Sequence, residues 1–374
     1  MIDRLDSIPP GRGATLVIDL DAVAANYRRL VEAAPAAEVA AVVKADAYGL
    51  GAERVAPVLW RAGCRTFFVA LANEGAALRP HLPDGAAIAV LNGPALGGGD
   101  ALADHFLMPV LNDLDQIDAW RAVAAARAPP AILHVDTGMN RLGLSAAEVD
   151  RLVAEPKRLA GIAVAMVMSH LACADEPRHP MNREQLAAFA TARAALEPVV
   201  GMARASLANA PGIFLGADYH LDMVRPGVAI YGVNAHGGDP NPFRQVVHLY
   251  GRIQQVRHVD RDMTVGYGAA HRVRRGARLA TVAVGYADGY PRSLSNRGRA
   301  FIGETPVPLV GRVSMDLITL DVSAAPAALP GASVELIGAH LPVDEVAEAA
   351  GTIGYEILTA LGRRYHRVYV GGGA

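Results

Sequence analysis

Eight short apolar segments separated by helical patterns, a switch to β-rich texture after residue 240 and a Gly/Pro/Asn-rich junction between them predict the fold class. It is α/β: an N-terminal (β/α)8 TIM-type barrel followed by a C-terminal mainly-β domain. The chain has 374 residues, which suits two domains. Hydrophobic residues make up 52% and charged residues 19%, so a large core is available and disorder is excluded.

The strand candidates run in order as VAAVVK (39–44), TFFVAL (66–71), AIAVLN (87–92), FLMPVL (106–111), AILHVD (131–136), IAVAMVMSH (162–170), ARASLAN (203–209) and VAIYG (228–232). Most are continuously apolar rather than alternating, as parallel strands covered on both faces should be. Between them, DAVAANYRRLVEAA (21–34) carries one apolar face, and NDLDQIDAWRAVAAARA (112–128) runs from acidic to basic as a helix dipole favours. In SAAEVDRLVAEP (145–156), Ser145 and Glu148 stand at capping-box spacing and Pro156 closes the pattern. Eight β–α alternations between residues 15 and 235 fit a barrel of about 250 residues. A doubly wound open sheet competes, because periodicity does not distinguish the two.

The stretch GVNAHGGDPNPF (232–243) marks the boundary. Beyond it VVHLYGRIQQVRHV, ARLATVAVGYA, RAFIGETPVPLVGRV, DLITLDV and ASVELIG read as strands, with one helical pattern, VDEVAEAAG (343–351). The expected organisation is residues 1–14 as an N-terminal segment packing with the β domain, 15–240 as the barrel, and 241–374 as the β domain.

Formal net charge is −2 with no block of like charges, so nothing points to nucleic acid or an anionic membrane. The longest uncharged run, 159–174, is shorter than the ~20 apolar residues of a spanning helix. The N-terminal sequence has early acidic charge and no apolar stretch typical of a signal peptide. Two cysteines, Cys64 and Cys173, imply no disulfide framework, so a cytoplasmic location is expected. His170 with Cys173 makes a single pair, too few for a zinc site, and no metal is expected.

In AVVKADAYGLGA (41–52), a strand that reads as buried ends on an amine. In a barrel, Lys44 would stand at the C-terminal end of the first strand, where active sites of this fold lie. Apolar neighbours would strip part of its solvation, lower its pKa and ready it for imine chemistry with an aldehyde. An isolated lysine at a strand end more commonly just reaches solvent.

The order of residues carries more than this spacing. AVVKADAYGLG resembles the pyridoxal phosphate attachment segment of alanine racemases. HVDTGMNRLGL (134–144), MSHLACAD (168–175), MVRPGVAIYG (223–232), VGYGAAH (265–271), VGYADGYPR (284–292), GRVSMD (311–316) and TIGYE (352–356) resemble further blocks of that family, in its order. The resemblance implies a barrel joined to a β domain, a pyridoxal 5'-phosphate cofactor, and a homodimer whose active sites are shared between subunits. It also implies alanine as substrate and a two-base racemisation.

By resemblance, Lys44 binds the cofactor and takes the proton from the D-isomer, while Tyr267, reaching in from the other subunit, takes it from the L-isomer. Two acid–base groups on opposite faces are what inversion at a carbon requires. Arg225 would meet the pyridine nitrogen; a cationic, donor-only guanidinium leaves that nitrogen unprotonated and weakens the ring as an electron sink. Tyr48, Tyr355 and the backbone N–H groups of Gly227 and Val228 would hold the phosphate, with Asn209 nearby. His170 would lie by the ring and bond to Tyr267, and Arg141 and the Met315 N–H would bind the substrate carboxylate.

Two departures stand out. Ala210 follows Asn209 where the family commonly has serine, which removes one hydroxyl contact to phosphate, worth roughly 1.5–3 kcal/mol. His134 stands where some members have a carbamylated lysine, so Arg141 needs another support. A broader-specificity amino-acid racemase and a barrel-type pyridoxal phosphate decarboxylase are the competing enzymes; Arg225 argues against the latter. A non-catalytic cofactor-binding barrel would have no use for Tyr267, and a cofactor-free Schiff-base aldolase none for the phosphate constellation.

Overall fold

The computed structural model describes residues 11–95, 99–123, 128–238 and 240–373. In chain order its strands begin with β1 (Ala14–Asp19), β2 (Glu38–Val39), β3 (Ala41–Val42), β4 (Thr66–Val69) and β5 (Ala87–Val90). Next come β6 (Met108–Leu111), β7 (Ala131–His134), β8 (Val164–Met168), β9 (Arg204–Asn209) and β10 (Met223–Arg225). The chain divides into two compact units.

Unit 2 comprises Ala24–Ile230 and Asn234–Phe243. Its sheet runs β2-β10-β9-β8-β7-β6-β5-β4-β3, every pair parallel. β2 and β3 are separated by Ala40 alone and form one broken strand. Its β2 half pairs with β10 and its β3 half with β4, so the sheet closes on itself. Ala40 and Val42 extend the seam by donating to Val224 and Pro226 carbonyls, both at 2.9 Å. Strand side chains such as Phe67, Phe68, Ile88, Val110, Leu133 and Leu207 are wholly buried. A parallel barrel with its helices outside leaves neither strand face to water, which explains the continuous apolar runs.

The eighth strand is not where the sequence predicts it. VAIYG is a 3-10 turn over Val228–Tyr231, and the strand is Met223–Arg225. A short apolar run fits a buried turn as well as a strand, and the true strand carries an arginine that masks it. The helix expected at 112–128 spans Leu114–Val123, with residues 124–127 outside the described set. Ser145 and Glu148 do form a reciprocal capping box on helix Ala146–Ala154.

Unit 1 comprises the described residues up to Val23, Tyr231–Val233 and Arg244–Ala374. It adds β11 (Val247–His258), β12 (Met263–Val265), β13 (His271–Val273), β14 (Arg278–Val282) and β15 (Arg299–Ile302). β16 (Thr305–Pro308), β17 (Ile318–Asp321), β18 (Ser333–Ile337) and β19 (His366–Val370) complete it, with helices Val343–Ala350 and Gly354–Ala360. An eight-stranded sheet has the path β16-β15-β18-β11-β1-β19, with β14 joining β11 to β17; β12 and β13 form a separate hairpin. The barrel was expected to begin at residue 15. Instead β1 lies in this sheet, antiparallel to β11 and parallel to β19. ATLVID is not among the strand candidates of the sequence, and nothing in it shows which sheet would receive it. Of the expected N-terminal segment, residues 1–10 lie outside the described set, and Gly13 accepts the Arg252 N–H at 3.0 Å.

Candidate active site

In unit 2 the site is built at the C-terminal ends of the barrel strands. Lys44 follows β3 and is half-buried. Burial, and behind it the Arg141 guanidinium, pull its amine below the ordinary lysine value; the Glu74 carboxylate opposes them. The next four residues form a left-handed turn. Ala45, Asp46, Ala47 and Tyr48 have φ of 53, 56, 53 and 55°. In that conformation Cβ crowds the following carbonyl, at roughly 1–2 kcal/mol per residue. Tertiary contacts hold the turn: Ala45 N–H donates to Glu74 Oε1 and Ala52 N–H to Asp46 Oδ1, each at 2.8 Å.

The turn buries Tyr48 beside the end of β10. A Cβ at Gly227 would lie 2.2 Å from Tyr48 Oη, so the phenol rests against bare backbone that only glycine permits. Gly227 precedes and Val228 opens the 3-10 turn, where no earlier turn carbonyl is in place to accept their N–H groups. Phenol and backbone donors together suit an anion.

Arg225, the last residue of β10, is buried. One Nη donates to Ser206 Oγ; the other donates to the carbonyls of Ser169 at 2.5 Å and Leu207 at 3.4 Å. Ser206 in turn donates to Met223 O at 2.6 Å. Burial pulls the guanidinium down to about 10, which leaves it cationic at neutral pH. Among the described residues no carboxylate pairs with it.

Two imidazoles lie within electrostatic reach of it. His134 ends β7, and its Nδ1 lies 2.7 Å from Asn112 Oδ1. The Asn112 amide donates to the Leu91 and Val110 carbonyls at 3.1 and 3.0 Å, so its oxygen is left to accept and His134 Nδ1 carries the proton. Burial and Arg225 pull His134 down to about 4. His170 follows β8; burial, then Arg225, Arg141, His134 and Lys44, hold it well below the ordinary histidine value. Both rings are therefore neutral at pH 7.

Arg141 is exposed in the loop after β7. Asp136 ties that loop, accepting from Gly138 N at 2.9 Å and from Asn140 N at 2.9 and 3.2 Å. Buried Gln185, on helix Met181–Val200, joins this loop to the next. It donates to Thr137 Oγ1 at 3.1 Å and His170 O at 2.8 Å, and accepts from Ala172 N at 2.8 Å. Asn209 accepts from Gly212 N at 3.0 Å, a loop-fixing contact, and Ala210 is buried.

The remaining expected residues belong to unit 1. Tyr267 opens a 3-10 turn between β12 and β13 and is 70% exposed. Met315 is exposed, its carbonyl accepting from Ala287 N at 2.9 Å. Tyr355 lies on helix Gly354–Ala360. Glu74, Asn112, Gln185 and Ser206 escaped the sequence reading, because a single polar residue in or beside a strand or helix carries no distinguishing pattern.

A barrel whose mouth gathers a desolvated lysine, two arginines and two neutral imidazoles suits one class of protein: a barrel enzyme with an anionic, aldehyde-bearing cofactor. Residues 18–235 match the family model for the alanine racemase N-terminal domain, and residues 246–369 that for the C-terminal domain. The chain is 53% identical over 364 residues to an alanine racemase of Rhodospirillum rubrum, covering 96% of each. It is 48% identical to a catabolic alanine racemase of Agrobacterium fabrum, covering 96% of this chain and 93% of that one. The crystal structure of the Bartonella henselae alanine racemase, with covalently bound pyridoxal phosphate, superposes with a TM-score of 0.91 at 41% identity, covering 96% and 99% of the chains. The chain belongs to the alanine racemase family.

Proposed function

We propose that the protein interconverts L- and D-alanine with pyridoxal 5'-phosphate, as a homodimer with shared active sites, in the cytoplasm, and supplies D-alanine for peptidoglycan. The donor set fits that cofactor. Gly227 and Val228 N–H groups with the Tyr48 hydroxyl suit a phosphate, for which the family resemblance adds Tyr355 as a further hydroxyl; the buried Arg225 guanidinium suits a pyridine nitrogen acceptor; and the Lys44 amine suits an aldehyde. When bound, the cofactor withdraws electrons from the substrate's Cα, so that the α-proton becomes acidic.

The protein's own groups do the rest. Arg141 binds the substrate carboxylate, with Met315 N–H as a second donor. Lys44 Nζ, its pKa lowered by burial, takes the α-proton of D-alanine on one face. Tyr267 Oη of the other subunit takes that of L-alanine on the opposite face, assisted by His170. Asn209 keeps the loop after β9 in place. The observation that carries this reading is the cluster of Lys44, Arg141 and Arg225, basic groups converging with no carboxylate on Arg225. That cluster also disfavours a decarboxylase, which would be expected to place a carboxylate there.

In deuterated water the enzyme is expected to label Cα of alanine without releasing carbon dioxide; carbon dioxide without the opposite enantiomer would refute the assignment. Borohydride should fix the cofactor on Lys44, seen as a mass shift on that peptide. Tyr267→Ala should slow single-turnover proton removal from L-alanine far more than from D-alanine, and equal effects would remove its assigned face. A panel of amino acids tests the broader-specificity reading.

A further inference from the structure

The four residues after Lys44 are left-handed, and none of them is glycine. Their own sequence prefers the opposite hand, so an outside group must impose the conformation. Two carboxylates touch the turn. Asp46, within it, accepts the N–H of Ala52, the first residue of helix Ala52–Arg61. Glu74 comes from helix Ala72–Leu78, 29 residues away along the chain.

Both Glu74 oxygens are used. Oε1 accepts the Ala45 N–H at 2.8 Å, on the residue next to Lys44. Oε2 accepts the Ala70 and Leu71 N–H groups at 2.8 and 3.2 Å, where β4 turns into its helix. One side chain thus bolts the lysine's turn to the end of the neighbouring barrel strand through charge-assisted hydrogen bonds. The same carboxylate is the negative charge that counters the depression of the Lys44 pKa by burial and Arg141.

We propose that Glu74 is a positioning residue for Lys44, its two-oxygen clamp fixing the left-handed turn that aims the amine at the substrate's α-carbon. The proposal rests on Lys44 being the base for D-alanine. Glutamine keeps the shape but offers one acceptor and one NH2 group, so it must lose either the Ala45 contact or the Ala70/Leu71 pair.

The test uses Glu74→Gln and Glu74→Ala holoenzymes. Amide hydrogen exchange at Ala45 to Tyr48 and at Ala70 is expected to speed up at least tenfold, while barrel strands β7 to β9 keep their protection. Single-turnover α-proton exchange should slow at least tenfold from D-alanine and less than twofold from L-alanine, an asymmetry that a general loss of structure would not produce. Unchanged amide exchange in the turn, or equal slowing of both enantiomers, overturns the proposal. If Glu74→Ala does not fold, the volume-matched Glu74→Gln decides. Borohydride labelling separates the two levels: a cofactor fixed elsewhere than Lys44 refutes the assignment of the base, whereas the clamp is still judged by amide exchange.

Discussion

Replacing Ala45 by glycine should stabilise the protein, against the usual rule for a helical alanine. Ala45 is exposed, its φ is 53° and its N–H bonds Glu74, so the substitution opens no cavity and removes no hydrogen bond. The relieved clash between Cβ and the following carbonyl amounts to roughly 1–2 kcal/mol. The added freedom of glycine in the unfolded chain costs about 0.4–1 kcal/mol. The difference leaves a net gain of about 0.8 kcal/mol at the midpoints, within a span of about 0–1.6 kcal/mol. Ala188, exposed in the middle of helix Met181–Val200, serves as the control, where Ala188→Gly should lose about 1 kcal/mol. Denaturant midpoints of both variants, at fixed enzyme and cofactor concentration, give the comparison. Opposite signs are expected. If Ala45→Gly destabilises as Ala188→Gly does, the turn is right-handed and the clamp assigned to Glu74 has nothing to hold.

Gly227→Ala should drive a methyl group to within 2.2 Å of Tyr48 Oη and weaken pyridoxal phosphate retention at least tenfold, read by fluorescence titration of the apoenzyme. Gln185→Met leaves the His170 carbonyl and Ala172 N–H without their side-chain partner and the Thr137 hydroxyl with Ser169 Oγ alone; a loss of roughly 1–3 kcal/mol and a raised KM for alanine are expected from denaturation and steady-state kinetics. For His134 the folded value lies near 4, against about 6.5 when unfolded. Above pH 6.5 both states are neutral; between 6.5 and about 4 the unfolded chain takes the proton first, so stability falls as the pH falls. His134→Gln removes that contribution and should flatten the acid limb of the stability profile; an unchanged limb would mean that the buried imidazole is already protonated.

What the sequence discloses depends on whether a feature is enforced locally. β4 to β9 are legible because a barrel buries both faces of each strand, leaving runs such as TFFV and AILH with no polar interruption. The capping box at Ser145 is legible because both partners lie within four residues. β10 is missed because three residues ending in arginine carry too little apolar pattern, and the adjoining VAIY run attracts the assignment. β1 is missed altogether, and with it its place in the other unit's sheet, since its partners are more than 200 residues away. At the site, Lys44 is visible because an amine interrupts an apolar run. Its handedness is not, because KADAY has ordinary right-handed propensity and the opposing force comes from Glu74. The tautomer of His134 is likewise set by Asn112, whose own orientation is fixed by two carbonyls on other residues. The chemistry-bearing atoms are thus named by the sequence, while the directions in which they point are decided by polar contacts between strand ends that neighbour each other only once the barrel closes.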